Sequence, residues 1–321
     1  MLKDIKIIKT INPDLQRFES SLDEIIKLYD YFPDKILQYI LETKGKKIRP
    51  SLTYLSAHLF GKPTISTDTA ALIIELMHIA SLLHDDVIDE AKLRRKQLTV
   101  NSKWDNKTAI LTGDFIFSLA MKIAAQTKEY YLFDLISPAV MDLSLGEIYE
   151  IKFSNYFEIN KEKYFQIIRL KTAALIACCF ECGAYSVKAE KNEIETAKKL
   201  GEIIGIMFQI KDDMLDYIGK KTGKEIGIDI KDKKITLPLI LAYHNMDEKS
   251  KKEIENLWEN VDERNFQRII SLVVENKGIE KSEEILFQYR SESKQLLEKF
   301  SNKKIISTIK KLIEYLTVRD K

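Results

Sequence analysis

The chain is poor in the residues that end helices and build sharp turns. Only 11 glycines and 6 prolines occur in its 321 residues, and 45% of the residues are hydrophobic. The commonest residue types are those typical of helical proteins, and no strand-like alternation of useful length appears. We therefore predict one all-α domain, a helical barrel or bundle over residues 1–321, with highly charged outer helices from about 246 to 321.

Long apolar runs and an excess of charge are also missing. The best apolar run, residues 70–83, already contains Glu75, His78 and Ser81, whereas a membrane span needs about 20 predominantly apolar residues. The N-terminus lacks the apolar core of a signal peptide. The net charge of +2 argues against a nucleic-acid partner. We expect a soluble cytoplasmic protein without a transmembrane segment.

Cysteine is nearly absent, and several familiar catalytic patterns are missing. Cys178, Cys179 and Cys182 crowd into one helical turn, but no second pair and no nearby histidine completes a zinc site. Their small apolar neighbours favour packing in the core. The phosphate-loop and dinucleotide glycine patterns are absent, as are Ser/His/Asp and Cys/His arrangements.

Hydrophobic periodicity predicts the positions of the central helices. A basic turn at 44–50 is expected to introduce a helix from about Ser51, and Pro138 is expected to kink or restart its helix. The charged segment 219–234 is the best candidate for a mobile lid. The predicted central helices cover residues 67–90, 108–125, 130–152, 160–188 and 193–218.

Two copies of one acidic pattern carry the most information. One has aspartates at Asp85, Asp86 and Asp89, and the other at Asp212, Asp213 and Asp216. The outer aspartates of each motif are four residues apart, so they share one helical face. Two such faces pointing at each other would hold several Mg²⁺ ions, which prefer carboxylate oxygen and share their remaining positions with phosphate. One copy alone would indicate only a solvated helix end. The repeat predicts a diphosphate site with all six aspartates as candidate ligands.

Cationic and polar side chains accompany these motifs. Arg94 and Arg95 follow the first motif, and Lys171-Thr172 interrupts an apolar helix. Paired arginines often belong to a solvated loop, but next to an acidic site they favour phosphate binding. Gln209 lies one turn before Asp212, which favours a ligand contact over a polar core position. His78 lies two turns before Asp85, where a satisfied core histidine is the alternative.

These motifs resemble those of the trans-polyprenyl diphosphate synthases, a family that includes heptaprenyl and octaprenyl diphosphate synthases. The stretch from Glu75 to Arg95 is similar to the first aspartate-rich region, and the stretch from Gly205 to Asp216 to the second. The order of the motifs between and after them also matches the family. These further motifs are Gly146-Glu147, Lys171-Thr172-Ala173, Gly223-Lys224 and Lys234 to Pro238.

The resemblance implies a substrate pair, a metal and a mechanism. An allylic diphosphate is ionised with the help of Mg²⁺, in the family three ions, and isopentenyl diphosphate attacks the resulting allylic cation in a 1′-4 condensation. The released diphosphate is the expected base, and a homodimer is the expected assembly. Arg94, Lys171 and Lys224 are implied to stabilise the leaving diphosphate. The residues implied to bind isopentenyl diphosphate are Lys46, Arg49, His78 and Arg95. Thr172 and Gln209 are implied to contact the allylic substrate, and Lys234 is implied as a further substrate contact.

The chain departs from the family pattern at several positions. Glu150 stands where a glutamine is common, and Lys96 and Lys233 stand where glycines are usual. The basic turn from Lys44 to Lys47 replaces two glycines and an arginine. None of these changes removes a predicted metal or phosphate contact, although Glu150 adds negative charge.

Other functions remain as alternatives. The closest are a short-chain farnesyl or geranylgeranyl diphosphate synthase and the catalytic subunit of a two-component heptaprenyl or hexaprenyl diphosphate synthase. A non-catalytic partner subunit would be expected to lack aspartates or the arginine pair, and both are complete here. A terpene cyclase needs no second diphosphate site, and a structural protein would leave six carboxylates uncompensated.

Ala80 and Ser81 precede Asp85 by five and four residues, so they are expected to line the first stretch of a pocket for the growing isoprenoid tail. Because neither side chain is bulky, we predict a long product of C30 or more. Ala80→Tyr should shorten the product, because its ring would block the tail. Chromatography of the dephosphorylated products measures the length, and an unchanged length would contradict this prediction.

Overall fold

The fold is all-α, as predicted. A computed structural model describes residues 6–41, 45, 47–95, 97–154, 156–218 and 227–317. The contacts divide the chain into two compact units. One comprises Met1–Pro138 and Cys178–Lys198, and the other comprises Ala139–Ala177 and Lys199–Lys321. That the chain forms a single domain stays a prediction.

The elements of the first half of the chain are helical except for one small hairpin. A 3₁₀ turn at Pro33–Lys35 precedes the second helix. In order they are α1 Lys6–Leu28, α2 Ile36–Leu41, α3 Ile48–Phe60, α4 Ile65–Ile88, β1 Leu93–Arg94, β2 Gln97–Leu98, α5 Val100–Lys103 and α6 Asn106–Gln126.

Helices account for all the regular structure described in the remainder. A π-helical turn at Arg169–Ala173 separates α8 from α9. In order they are α7 Tyr131–Ser154, α8 Lys161–Ile168, α9 Ala174–Ser186, α10 Lys191–Ile218, α11 Ile228–Lys231, α12 Leu237–Asn245, α13 Glu248–Glu259, α14 Glu263–Glu275, α15 Gly278–Leu297 and α16 Lys303–Thr317.

Four of the five predicted central helices (α4, α6, α7 and α10) agree with the structure to within two residues at each end. The fifth, predicted over 160–188, is interrupted by the π turn. The helix predicted from Ser51 begins at Ile48, and α7 runs through Pro138 without restarting. The sequence showed no strand alternation of useful length, and the strands among the described residues are β1 and β2, which pair antiparallel. Strands of two residues are too short to show an alternating pattern.

One described helix, α6, is long and apolar enough to cross a membrane by length and composition alone. Its sequence contains no long continuous apolar run, because Lys107, Asp114 and Lys122 interrupt it. The core helix of a soluble protein meets the same criterion.

In the first unit, α4 packs against α3 and α6. Several large side chains in this core are at most 1% exposed, namely Ile73, Ile74 and Leu76 of α4 and Ile116 of α6. More than one side of α4 is therefore buried. The N-terminus of α4 is closed by a capping box between Thr64 and Thr67, which satisfies backbone N–H groups that the helix leaves without partners. The helix therefore carries the first acidic motif at a fixed C-terminal end.

The three cysteines are buried and free, as their apolar neighbours predicted. The Sγ atoms of Cys178 and Cys182 are 3.7 Å apart, and burial is among the causes that raise the pKa of the thiols of Cys178 and Cys179. Thiols with raised pKa values are poor nucleophiles, which agrees with a packing role.

The second unit has an apolar cluster of its own. Trp258 and Phe266 pack with Ile230 of α11 and Tyr217 of α10 in this cluster. Tyr217 also hydrogen-bonds Thr236 through the two side-chain oxygens, 2.6 Å apart. The residues on either side of the segment 219–226, which lies outside the described residues, are therefore anchored in one core.

A polar network joins α1 to α3 and α4. His58 Nε2 lies 2.8 Å from Asp14 Oδ2, and Arg17 Nη2 donates to Asp14 Oδ1 at 2.9 Å. Arg17 Nε donates to Asp68 Oδ2 at 3.0 Å, and the Tyr54 hydroxyl donates to Asp68 Oδ1 at 2.8 Å. Burial opposes the charge of Asp14, but the hydrogen bonds from His58 and Arg17 outweigh it and lower the pKa of Asp14. The network thus favours the ionised carboxylate in the folded state.

Replacing Asp14 by asparagine should lower the free energy of unfolding by about 1–3 kcal/mol at pH 7, because His58 and Arg17 lose a charged acceptor. Since the folded state depresses the pKa of Asp14, its contribution is complete above the unfolded value of 3.8 and is lost as the pH falls through the lower folded value. Urea unfolding at several pH values measures this.

The matched control is Asp23→Asn, an exposed position on the same helix. Equal stabilities of the two variants at pH 7 would contradict the role given to Asp14.

Candidate functional site

The three aspartates of the first motif lie in different environments. Asp85 is half-buried and Asp89 is exposed, whereas Asp86 is 4% exposed. Arg94 reaches Asp86 Oδ1 with Nε at 2.8 Å and Nη2 at 2.7 Å. Burial raises the pKa of Asp86, and the charge of Arg94 partly opposes this. Asp86 therefore holds the guanidinium group of Arg94 in place in this structure.

A cavity of about 100 Å³ lies beside this motif. Its wall includes His78 and Glu75 of α4 and both arginines of the hairpin. Burial and the charges of Arg49 and Arg95 lower the pKa of His78 well below its usual value. Burial also raises the pKa of Glu75, against the charge of Arg49. The cavity is thus rich in guanidinium groups and holds a neutral histidine.

Two buried nitrogen atoms near this cavity have no hydrogen-bond partner among the described residues, Arg49 Nε and His78 Nδ1. Buried polar groups are almost always satisfied, so these atoms indicate a place for a ligand or a water molecule. A guanidinium favours an anion. The structure brings together Arg49, His78, Arg94 and Arg95 of the predicted set, whereas Lys46 lies outside the described residues.

Ala80 and Ser81 occupy the turn of α4 before the first motif. Ala80 is 1% exposed, and the Ser81 hydroxyl donates to the His78 carbonyl at 2.9 Å. That these residues line a pocket for an isoprenoid tail stays a prediction.

In the second motif the central aspartate is again buried and bound by protein groups. Asp213 is 4% exposed, and its Oδ2 accepts a hydrogen bond from the Tyr164 hydroxyl at 2.6 Å. Its Oδ1 accepts one from Gln209 Nε2 at 2.8 Å, and the Gln209 Oε1 accepts one from the Thr172 hydroxyl at 2.7 Å. Burial raises the pKa of Asp213 well above its usual value, and the nearby charge of Asp229 adds to this. The chain of hydrogen bonds fixes Gln209 and Thr172 relative to the motif.

Asp216 ends the second motif and organises the start of α11. Its carboxylate oxygens accept hydrogen bonds from the backbone N–H of Ile228 at 3.1 Å and of Asp229 at 3.2 Å. Burial, and after it the charge of Asp216, raise the pKa of Asp229 to about 7. Asp229 was not among the residues predicted from the sequence to belong to the site. Its position between Gly227 and Lys234 was the one feature of the sequence that could have suggested it.

The π turn places Lys171 and Thr172 side by side. A Cβ atom on Gly146 would lie 2.5 Å from the Lys171 backbone nitrogen, and one on Gly205 would lie 2.5 Å from the Ala173 Cα atom. Only glycine allows α7 and α10 to approach this turn so closely. π turns inside helices often occur at functional sites, and the two adjacent residues here are both predicted site residues.

Lys171 is paired with two carboxylates. Its Nζ lies 2.8 Å from Glu147 Oε2 and 2.6 Å from Glu150 Oε2. Burial opposes its charge, but Glu150 and then Glu147 outweigh it and raise the pKa of Lys171. Glu150, noted in the sequence only as a departure, thus contacts a predicted catalytic residue directly.

A cavity of about 240 Å³ is lined by many of the polar groups of the second unit. Lys224, which was predicted to contact the leaving diphosphate, lies outside the described residues, so its position relative to this cavity stays a prediction. The polar residues in the cavity wall are Glu150, Ser154, Tyr164, Lys171, Gln209, Asp212, Asp213, Asp229, Lys234 and Thr236.

Carboxylate oxygens suit Mg²⁺, and the donor set therefore fits this ion. Among the described residues, no three histidine, cysteine or acidic side chains lie close enough to enclose a metal by themselves. Mg²⁺ ordinarily uses one or two carboxylates and completes its shell with water and substrate phosphate. Asp86, Asp213 and Asp216 each bind protein donors in this structure. That all six aspartates are candidate metal ligands stays a prediction.

Comparisons with known proteins agree on one family. The family model described as polyprenyl synthetase matches residues 32–273. Heptaprenyl diphosphate synthase component 2 of Geobacillus stearothermophilus is 31% identical over 314 residues, which cover 97% of each chain.

Solved structures are similar over nearly the whole chain. Geranylgeranyl pyrophosphate synthase from Bacteroides thetaiotaomicron is 32% identical with a TM-score of 0.84, covering 98% of this chain and 99% of the other. The polyprenyl synthase from Caulobacter crescentus complexed with calcium and isoprenyl diphosphate is 25% identical with a TM-score of 0.88, covering 98% of each chain. The names of the relatives include both short and long products.

Replacing Glu150 by glutamine should tighten the binding of inorganic diphosphate in the presence of Mg²⁺ by about three- to tenfold. The change removes one of two negative charges beside Lys171 while keeping a hydrogen-bond acceptor, and unit charges a few ångströms apart interact by about this much near a protein surface. Isothermal titration calorimetry measures the dissociation constant.

The matched control is Glu158→Gln, which neutralises a glutamate paired with Lys163 outside the wall of the larger cavity. Weaker binding by the Glu150 variant would show that Glu150 assists the anion site, contrary to this prediction.

Proposed function

We propose, because the chain belongs to the polyprenyl synthetase family, that this prenyltransferase extends an allylic diphosphate with successive isopentenyl diphosphates to a long all-trans polyprenyl diphosphate. The observation that supports the two-diphosphate chemistry best is that each of the two cavities has cations in its wall. Arg94 and Arg95 line the smaller cavity, and Lys171 and Lys234 line the larger one.

Isopentenyl diphosphate would bind at the smaller cavity. Arg49 and Arg95 would pair with its diphosphate, and His78, kept neutral by burial and by these cations, would donate one hydrogen bond. Among the residues that the structure describes, the Nε atom of Arg49 has no hydrogen-bond partner, which leaves a donor for this anion. Lys46 would add a further charge.

The allylic diphosphate would meet Lys171. The resemblance to the family also implies Lys224 and Arg94 as cations for this diphosphate, and Arg94 is bound to Asp86 in this structure. As the allylic C–O bond breaks, its electron pair leaves with the diphosphate, and these cations stabilise the charge that develops there. Thr172 and Gln209 would orient the allylic end, because their mutual hydrogen bond and that to Asp213 fix both side chains. Lys171 would turn from its two glutamates toward the substrate.

The π electrons of isopentenyl diphosphate then form the new C–C bond to the allylic carbon. A proton is lost to the released diphosphate, which leaves a double bond in the extended chain. Bound Mg²⁺, held by the aspartates of the two motifs, would neutralise diphosphate charge. No side chain is needed as the base.

The long product is supported by the small side chains of Ala80 and Ser81 before the first motif. A short-chain synthase is the alternative, and similarity to both kinds of relative leaves it to experiment.

The deciding measurement uses the purified protein with Mg²⁺, isopentenyl diphosphate, and farnesyl or geranylgeranyl diphosphate as primer. We expect long all-trans products, and activity lower by about 100-fold or more in Asp212→Asn, because one carboxylate ligand is lost. Asp23→Asn is the matched control. A C15 or C20 end point would contradict the chain-length proposal, and products from other primers only would contradict the choice of substrate.

We also propose a homodimer in the cytoplasm. Leu111 of α6 is 67% exposed, and Met141 of α7 is 71% exposed, which supports a second copy covering these helices. The name of one relative, a heptaprenyl diphosphate synthase component, supports the alternative of a catalytic subunit that needs another protein. Light scattering on the preparation used for the assay distinguishes a dimer from a monomer, and an inactive preparation would favour the second component.

A further inference from the structure

The hairpin that carries Arg94 and Arg95 is too small to hold its own shape. Its strands β1 and β2 contain two residues each, with Leu93 paired to Leu98 and Arg94 to Gln97. Arg95 has a φ of 54°, in the left-handed region that is unfavourable for residues other than glycine, asparagine and aspartate. Because even a longer isolated hairpin is marginally stable in water, contacts from elsewhere must fix these arginines.

One side of the hairpin is anchored by the end of α4. Arg94 pairs with Asp86, and Asn101 Nδ2 donates to the backbone carbonyls of Asp86 at 3.1 Å and Ala91 at 3.2 Å. The Thr99 hydroxyl donates to the Ala91 carbonyl at 2.6 Å. These contacts hold β1 and the base of the hairpin, but none of them reaches the backbone of β2.

The β2 strand is held by Tyr39 of α2. The Tyr39 hydroxyl donates to the Leu98 carbonyl at 2.8 Å, directly across the hairpin from the residue that precedes Arg94. The ring of Tyr39 is itself fixed. Lys103 Nζ lies 3.7 Å from its centroid, and the Trp104 ring contacts it edge-on with centroids 5.4 Å apart. A cation over an aromatic face and an edge-to-face ring pair are both favourable.

We propose that Tyr39 is a positioning residue that holds the hairpin closed and so keeps Arg95 aimed at diphosphate. Tyr39 lines the same cavity as Arg95, whereas Arg94 is fixed separately by Asp86. The role rests on the proposed function, since it acts through a predicted diphosphate-binding residue. Loss of the hydroxyl would remove one of the contacts that hold β2, beside its pairing with β1, and would let the left-handed backbone at Arg95 relax, which moves its guanidinium from the cavity wall.

The first test does not depend on catalysis. The peptide bonds after Lys92, Arg94 and Arg95 are trypsin sites, and a hairpin must open before a protease can cleave it. The folded protein is digested with a small amount of trypsin, and mass spectrometry of the fragments measures the rate of cleavage at these bonds. We expect this rate to be about fivefold higher in Tyr39→Phe than in the wild type, because the loss of one hydrogen bond of about 1 kcal/mol makes opening of the hairpin easier by about this factor. Tyr31→Phe is the matched control, because Tyr31 is 77% exposed and does not contact the hairpin.

The second test measures steady-state kinetics of the same variants. Tyr39→Phe should raise KM for isopentenyl diphosphate about three- to fivefold and change kcat less than about twofold, because ground-state positioning is lost while the chemistry at the allylic carbon remains. A general loss of structure would instead lower Tm and kcat together. Lys103→Gln, which releases the ring and keeps the hydroxyl, should give a smaller change in the same direction.

The outcomes separate the two proposals. Equal cleavage rates in the wild type, Tyr39→Phe and Tyr31→Phe would overturn the positioning role. Faster cleavage with an unchanged KM would also overturn it, since the hairpin would open without affecting the arginines. A wild type inactive with every prenyl substrate would reject the proposal that this chain acts without a second component, and the cleavage rates would still decide whether Tyr39 holds the hairpin.

Discussion

A charge carried into the interior of a helical protein must find a partner there, and both acidic motifs are built around this requirement. Each motif places three carboxylates at a helix end, and on a helix the central one lies about 100° around the axis from the first and about 60° from the last, so it points to one side of the face that the outer two share. In the first motif, Arg94 of the hairpin pairs with the central carboxylate of Asp86. In the second motif, Tyr164 and Gln209 donate hydrogen bonds to the central carboxylate of Asp213. The two motifs thus solve one electrostatic problem with different donors.

The contacts of the central aspartates connect each acidic motif to the rest of its unit. The central aspartates tie the motifs to neighbouring elements, the hairpin in one unit and α8 in the other. The outer aspartate of the second motif, Asp216, ties its helix to the start of α11 as well. A site that must bind a highly charged ligand benefits from this arrangement, since little reorganisation is needed when the ligand arrives.

The sequence predicted the fold class, four of five central helices and the residues around which both polar clusters form. Helices of more than 20 residues with a regular apolar pattern leave a strong signal, whereas the two-residue strands leave none. The π turn was not predictable either, because it depends on close approach at Gly146 and Gly205, which is a tertiary property. Motif spacing identified Lys171 and Gln209, but not their partners. Glu150 was read as a departure from a pattern, and only the structure shows that it pairs with Lys171. Tyr39 and Tyr164 carried no signal, since a tyrosine in a helix is ordinarily a packing residue.

The π turn at Arg169–Ala173, closed by a hydrogen bond from the Ala174 N–H to the Arg169 carbonyl, means that the chain holds one residue more there than a continuous α-helix would. A π turn uses one more residue than an α turn to complete the same rotation, so α9 keeps the orientation that one continuous helix would give it. Deleting a single residue from this turn would restore regular winding and leave the small apolar face of α9, with its three buried cysteines, directed as it is now. The change would be confined to the bulge, where Lys171 and Thr172 lie. The extra residue therefore alters the local placement of two predicted site side chains without disturbing the packing of the helix that follows.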